Sequence, residues 1–167
     1  MENQNGKENL TNRYVDPHRK FSRVVMEEDM DRVFKDSVIL YKLCYAKTGP
    51  YASAFAVAHP QIDDKDPLRF FVTKEREIII NPLIQRHTNS LILEKEGCMT
   101  YPAAAMIAVG RYYKCEVLYK TMDGKKLIEK HEKMKGTRAR IFQHEINHLD
   151  AIYIYDSLIM TREDSDV

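Results

Sequence analysis

The stretch FQHEINHLD, Phe142 to Asp150, sets His144 and His148 four residues apart, with Glu145 directly after the first. On an α-helix this spacing is one turn, so both imidazoles leave the same face and can grip one metal ion. Glu145 projects beside that face and can reach a water held there, and HExxH is a signature of metal-dependent hydrolases for this reason. The competing reading is a surface helix that matches by chance, because the motif fixes only three positions. Two ligands do not complete a catalytic site, which needs a third protein ligand and one position kept for water. Beyond Leu149 the only carboxylates are Asp150, Asp156, Glu163, Asp164 and Asp166. Asp150 points elsewhere on the helix, and the others lie at or near the chain end. Cys98, in EGCMT, closes a β-like run where Gly97 lets the backbone bend, and it is the better third ligand. A thiolate with two imidazoles suits a borderline or soft divalent ion, so zinc, ferrous iron, cobalt and nickel all fit.

The remaining histidines and thiols read as structural. His18, His87 and His131 sit in polar surroundings without ligand spacing, and His59 reads as a hydrogen-bonded structural histidine. Cys44 and Cys115 fall on apolar stripes, where a buried thiol outweighs a reactive one. The three cysteines form no CxxC, which points to a reduced, cytosolic setting.

The elements that must position these groups follow from periodicity. From Glu27 to Lys47 the residues Met30, Val33, Phe34, Tyr41, Cys44 and Tyr45 recur at helical spacing, with Gly49-Pro50 as a stop, so an N-terminal amphipathic helix is expected. Short β-like runs follow: SAFAVA, RFFVT, EIII closed by Asn81-Pro82, and SLILE. Cys115, Val117 and Tyr119 alternate toward Asp123-Gly124, and KLIEK returns as the second strand of a hairpin. Gly136 opens the helix that carries the histidines. This order predicts an α+β fold, with mostly antiparallel sheets wrapped around a C-terminal metal-binding helix.

The 167 residues fit one domain, without visible repeats. Residues 1–20 read as a polar mobile tail, 21–160 as a single domain and 161–167 as an acidic tail. With 26 Lys+Arg against 25 Asp+Glu, nothing asks for a nucleic-acid or membrane-surface partner. The Lys-rich KKLIEKHEKMK is interrupted by glutamates and reads as a solvated face. The amino-terminal segment lacks the apolar run of a secretory signal and carries acidic residues that a transit peptide avoids. No apolar run approaches a bilayer span, so the expectation is a soluble, cytoplasmic protein.

Three motifs resemble, in the same order, those of the peptide deformylases, which remove the formyl group from the amino-terminal methionine of new polypeptides. AFAVAHPQI, Ala54 to Ile62, is similar to GxGLAAPQI; EGCMT, Glu96 to Thr100, to EGCLS; and QHEINHL, Gln143 to Leu149, to QHExDHL. Smaller similarities lie between them, at Asn81-Pro82, Val109 with Arg111, and ARIFQHE. The resemblance covers Ala54 to Asp156. It implies one divalent ion, ferrous iron in many members, on Cys98, His144 and His148, with Glu145 as the general base. Gln61 and the backbone N–H of Met99 are implied as oxyanion donors. The formylmethionyl substrate, a nascent chain at the ribosome included, is implied to lie extended against AFAVA near Ala56. Phe55 and Ile141 match pocket positions. Glu96 and Arg111 pair across the cysteine-bearing turn, either partly buried or exposed.

Departures accompany the matches. Ala54 and Ala56 stand where the family has glycines, and their methyls can narrow the cleft or shift the strand. His59 replaces a small residue, Asn147 a commoner aspartate and Ala151 a usual glycine, and the family's amino-terminal run is hardly recognisable in VDPHRKFSR. Three readings therefore compete: an active deformylase, a catalytically impaired module that keeps metal and groove, and a zinc peptidase. The last lacks its downstream ligand.

Overall fold

The computed structural model describes residues 20–46, 54–98, 100, 106–124, 126–154 and 156. Of the expected tail over 1–20 only Lys20 lies among them, and the acidic tail 161–167, the Gly49-Pro50 stop and Met99 lie outside them.

The amphipathic segment forms a 3-10 turn, Glu27–Asp29, that runs into helix α1, Met30–Cys44. Asp29 secures its start by accepting from Met26 N (2.9 Å) and from Arg23 (2.7 and 2.8 Å). The buried stripe is Val33, Ser37, Leu40 and Cys44, while Phe34 and Tyr45 face outward, 61% and 48% exposed. The expected stripe is thus corrected by rotation. Spacings of four, three and four follow the helical period, and Ser37 can join because its hydroxyl bonds Phe34 O at 2.8 Å.

Among the described residues seven strands follow: β1 Ala56–Ala58, β2 Phe70–Thr73, β3 Ile78–His87, β4 Leu91–Glu96, β5 Ile107–Tyr112, β6 Lys114–Asp123 and β7 Lys126–Lys135, then helix α2, Gly136–Leu149. Five of them form an antiparallel sheet in the order β1-β2-β3-β6-β7, and β4 pairs with β5 as a separate two-stranded sheet. The expected stop at Asn81-Pro82 is also corrected, because β3 runs through it to His87. Asn81 takes φ 50°, its side chain bonds Val25 N and O (both 2.9 Å), and the register shifts between Ile80 and Leu83. That irregularity lets the strand pass a proline that cannot donate to the ladder.

Side chains alternate across the large sheet and feed two cores. Val57, Phe70, Val72 and Ile80 pack with Val33, Leu40 and Cys44 of α1. Phe71, Ile79, Cys115, Val117 and Tyr119 pack on Ala139, Phe142, Ile146 and Leu149 of α2. The fold is α+β with antiparallel sheets, and α2 lies in the second core. The Lys-rich run is the edge strand β7, whose exposed lysines discourage pairing with another chain. Among the described residues no helix is long and apolar enough to cross a membrane.

Candidate active site

Helix α2 enters at Gly136, which takes φ 58° and donates its N–H to Tyr113 O at 2.9 Å, a conformation that favours glycine. The helix ends with Ile152 N bonded to Asn147 O (2.8 Å) and Ala151 at φ 55°. That is a left-handed cap normally filled by glycine. Between these ends the apolar stripe of α2 docks on the sheet, and His144 and His148 meet Glu96 and Cys98 at the end of β4.

Cys98 follows β4 and is 5% exposed, packed with Val109 and Ile154. Its Sγ lies 3.4 Å from His148 Nε2, which lies 3.2 Å from His144 Nε2, and the three donor atoms are all within 4.8 Å of one another. A thiolate and two neutral imidazoles so placed point lone pairs at one spot, which needs a positive charge between them. The donor set therefore fits a borderline divalent ion.

The electrostatics agree with that role. Burial pushes His148 down to about 3, so it is a neutral ring with a lone pair to give. Burial pushes the Cys98 thiol up, but hydrogen bonds from His144 and Thr100 and the His144 charge outweigh it and hold it below its ordinary value. His144 is drawn down by burial and more strongly up by Cys98 and Glu96, to about 9. Cys98 and His144 thus favour each other's charged forms, a balancing role that a bound metal ion would take over. Burial pushes the Glu145 carboxyl up to about 7. Its Oε2 is buried with no protein partner among the described residues, and this is the oxygen available to a bound molecule.

A carboxylate organises the centre from behind. Glu96 accepts from Arg111 Nε and Nη2 (3.1 and 2.9 Å), from Arg140 Nη1 (2.6 Å) and from His144 Nδ1 (3.0 Å). Burial alone would raise its pKa, but His144 and Arg111 hold it at about 2. Glu96 and Arg111 are 7% and 5% exposed, so of the two alternatives for this pair the buried one holds. Sequence reasoning missed Arg140 and the Glu96–His144 bond. Its one available signal was the four-residue spacing that puts Arg140 on the His144 face of α2.

Gln61 ends a 3-10 turn, His59–Gln61, and its Oε1 accepts from Ala58 N at 2.8 Å. That bond leaves Nε2 as the donating group, 3.4 Å from Thr100 Oγ1. His59 is fully buried, accepts from Leu68 N at Nδ1 (3.0 Å) and meets Asp36 of α1 at Nε2 (3.1 Å). It is a structural histidine that ties the turn to α1. A cleft of about 370 Å³ runs past these groups, lined by Phe55, Ala56, Gln61, Ile141, His144 and Glu145 among others. Ala54 and Ala56 are 6% and 9% exposed, with their methyls packed into different cores. A larger concavity of about 520 Å³, beside Arg86, Lys114, Lys133 and Lys135, contains none of the ligand set.

Comparison with known proteins follows the same lines. The chain is 34% identical over 85 residues to a peptide deformylase of Orientia tsutsugamushi, covering 48% of this chain and 42% of that protein. It is 32% identical over 100 residues to one of Thermus thermophilus, covering 59% and 49%. The chain thus spans about half the length of the curated relatives it matches. The crystal structure of peptide deformylase from Thermotoga maritima superposes with a TM-score of 0.70 at 27% identity, over 85% of this chain and 91% of that one. The polypeptide deformylase family model matches residues 13–164, and with that match the chain belongs to the polypeptide deformylase family.

Proposed function

We propose that this chain is a metal-dependent deformylase that removes the N-formyl group from the formylmethionyl amino termini of newly made polypeptides. The observation that supports it is the meeting of Cys98, His144 and His148 beside the buried Glu145, whose Oε2 has no protein partner among the described residues. Those three residues would hold one divalent ion, ferrous iron by family preference, with zinc, nickel or cobalt compatible with the same donors. When bound, the ion supplies Lewis acidity to water and to the formyl oxygen.

The chain's own residues account for the rest. Glu145 takes the proton from the attacking water and returns it to the amine nitrogen as the formyl C–N bond breaks. Gln61 Nε2 donates to the oxygen that becomes negative, and losing one such donor typically raises the barrier by about 3 kcal/mol. The Met99 backbone N–H is the second donor in this reading. The substrate lies extended between edge strand β1, near Ala56, and β4, so its backbone pairs as an added strand while its first side chain meets Phe55 and Ile141. Formate and a free amino terminus are released. The setting is cytoplasmic, on nascent chains at the ribosome, without direct nucleic-acid or membrane contact.

The test is formate release from a formyl-Met tripeptide by protein purified without oxygen and loaded with ferrous iron or nickel, beside Glu145→Ala. Turnover that vanishes in the variant supports the proposal. One ion bound per chain without any turnover by the unaltered protein refutes it in favour of a peptide-binding module.

A further inference from the structure

Two residues before Gln61, in the same 3-10 turn, His59 is fully buried and tethered at both ring nitrogens. The backbone N–H of Leu68 can only donate, so Nδ1 of the ring, 3.0 Å away, carries a lone pair. The ring proton therefore sits on Nε2, which donates to Asp36 Oδ2 at 3.1 Å. The ring also lies against Phe70, with centroids 4.8 Å apart. Leu68 leads into β2 and Asp36 belongs to α1, so this one side chain pins the turn to two elements. The turn itself is weak. It is three residues long, its second residue is Pro60, which has no N–H, and 3-10 hydrogen bonds have poorer geometry than α-helical ones. Ile62 N and Asp63 N close it by donating to His59 O (3.0 and 3.1 Å). The place of the Gln61 amide depends on that curvature, because its Oε1 accepts from Ala58 N (2.8 Å) across the turn and so leaves Nε2 to donate.

We propose that His59 is a positioning residue for the oxyanion donor: its ring, held between Asp36 and Leu68, fixes the turn that keeps the Gln61 amide in place. The proposal rests on the deformylase reading, in which Gln61 Nε2 donates to the oxygen that becomes negative. Without the ring the turn relaxes, Ala58 N and Gln61 Oε1 separate, and the amide is free to rotate. A donor used in the transition state and then displaced lowers kcat and leaves KM, because substrate binding does not draw on it. His59 acts only through Gln61, so its effect disappears once that amide is gone. A residue that merely stabilises the fold slows both backgrounds alike.

The experiment uses the full chain, metal-loaded, with formyl-Met-Ala-Ser as substrate. Gln61→Ala is expected to lower kcat by about 100-fold. His59→Ala alone is expected to lower kcat by about tenfold with KM within about twofold. His59→Gln can still accept from Leu68 N and donate to Asp36, and it is expected to recover most of that loss. Added to Gln61→Ala, His59→Ala is expected to change kcat by less than about twofold. Equal losses in the two backgrounds, or an unchanged kcat in His59→Ala, overturn the proposal. Should that variant not fold, Asp36→Ala cuts one end of the tether and is judged in the same two backgrounds. Full turnover by Gln61→Ala overturns both the donor role of Gln61 and this proposal. If no formate is released by any protein, the deformylase reading fails, and the Gln61 side-chain amide signal in nuclear magnetic resonance of the zinc-loaded chain still decides. Displacement of that signal in His59→Ala with its return in His59→Gln supports the tether, and an unmoved signal overturns it.

Discussion

His144 Nδ1 and Glu96 Oε2 stand 3.0 Å apart, and this bond turns the Nε2 of His144 toward Cys98 and His148. A carboxylate behind a ligand histidine sets its tautomer and raises its basicity. Glu96→Gln keeps the shape of the side chain but weakens that hold. The expected result is a loss of about 10- to 100-fold in metal affinity, read by competition with a chromogenic chelator. Equal affinity in both proteins would show that the ring is oriented by packing alone.

Cys98 and the two histidines come from elements far apart in sequence, so removing the thiolate tests whether they act as one site. Cys98→Ser is expected to leave the purified chain with far less than one ion, measured by elemental analysis after dialysis. A variant that retained a full equivalent would favour the zinc-peptidase reading, in which the cysteine is not a ligand.

Glu145 is buried beside the ligand set, and its Oε2 has no hydrogen-bond partner among the described residues. Glu145→Gln is expected to slow formate release by about 10²- to 10⁴-fold, the usual worth of a general base, while the metal content stays the same. Wild-type turnover in that variant would move the proton-transfer role to another group.

His59 is expected to make stability depend on pH in a direction set by its burial. Burial lowers its pKa and outweighs the pull of Asp36 and Asp63 in the opposite sense, with Arg32 acting alongside burial. The folded chain therefore holds fewer protons here than the unfolded chain, and stability rises with pH. The loss sets in as pH falls through about 6.5, the unfolded histidine value, and continues down to the lower folded value. His59→Gln is expected to flatten the change in urea midpoint between pH 7.5 and 5.0, by an amount attributable to one histidine. Parallel profiles for the two proteins would remove His59 as the cause.

Ala151 occupies a left-handed cap with φ 55°. A methyl-bearing residue there costs roughly 1–2 kcal/mol, partly offset by glycine's greater freedom in the unfolded chain. Ala151→Gly is expected to stabilise the protein by about 0.5–1 kcal/mol, seen as a rise of about 1–4 °C in Tm. A lower Tm would mean that the alanine methyl contributes packing that outweighs the strain.

The sequence alone determined the parts of this protein that depend on neighbours a few residues away. One helical turn separates His144 from His148, and alternation along β6 identifies Cys115, Val117 and Tyr119 as core. Such periodicities are set by the backbone, so they can be read without knowing the partner. Only the tertiary structure decided what depends on a distant partner. Val25, far from Asn81 in the chain, stabilises the irregularity that carries β3 past Pro82. The partners of α1 select Leu40 and Ser37 for its buried stripe in place of Phe34 and Tyr45. Burial of Glu96 likewise required two arginines and His144 to converge on it from β5 and α2. A buried charge is tolerable only when its counter-charges arrive with it, and their arrival is a property of the folded chain.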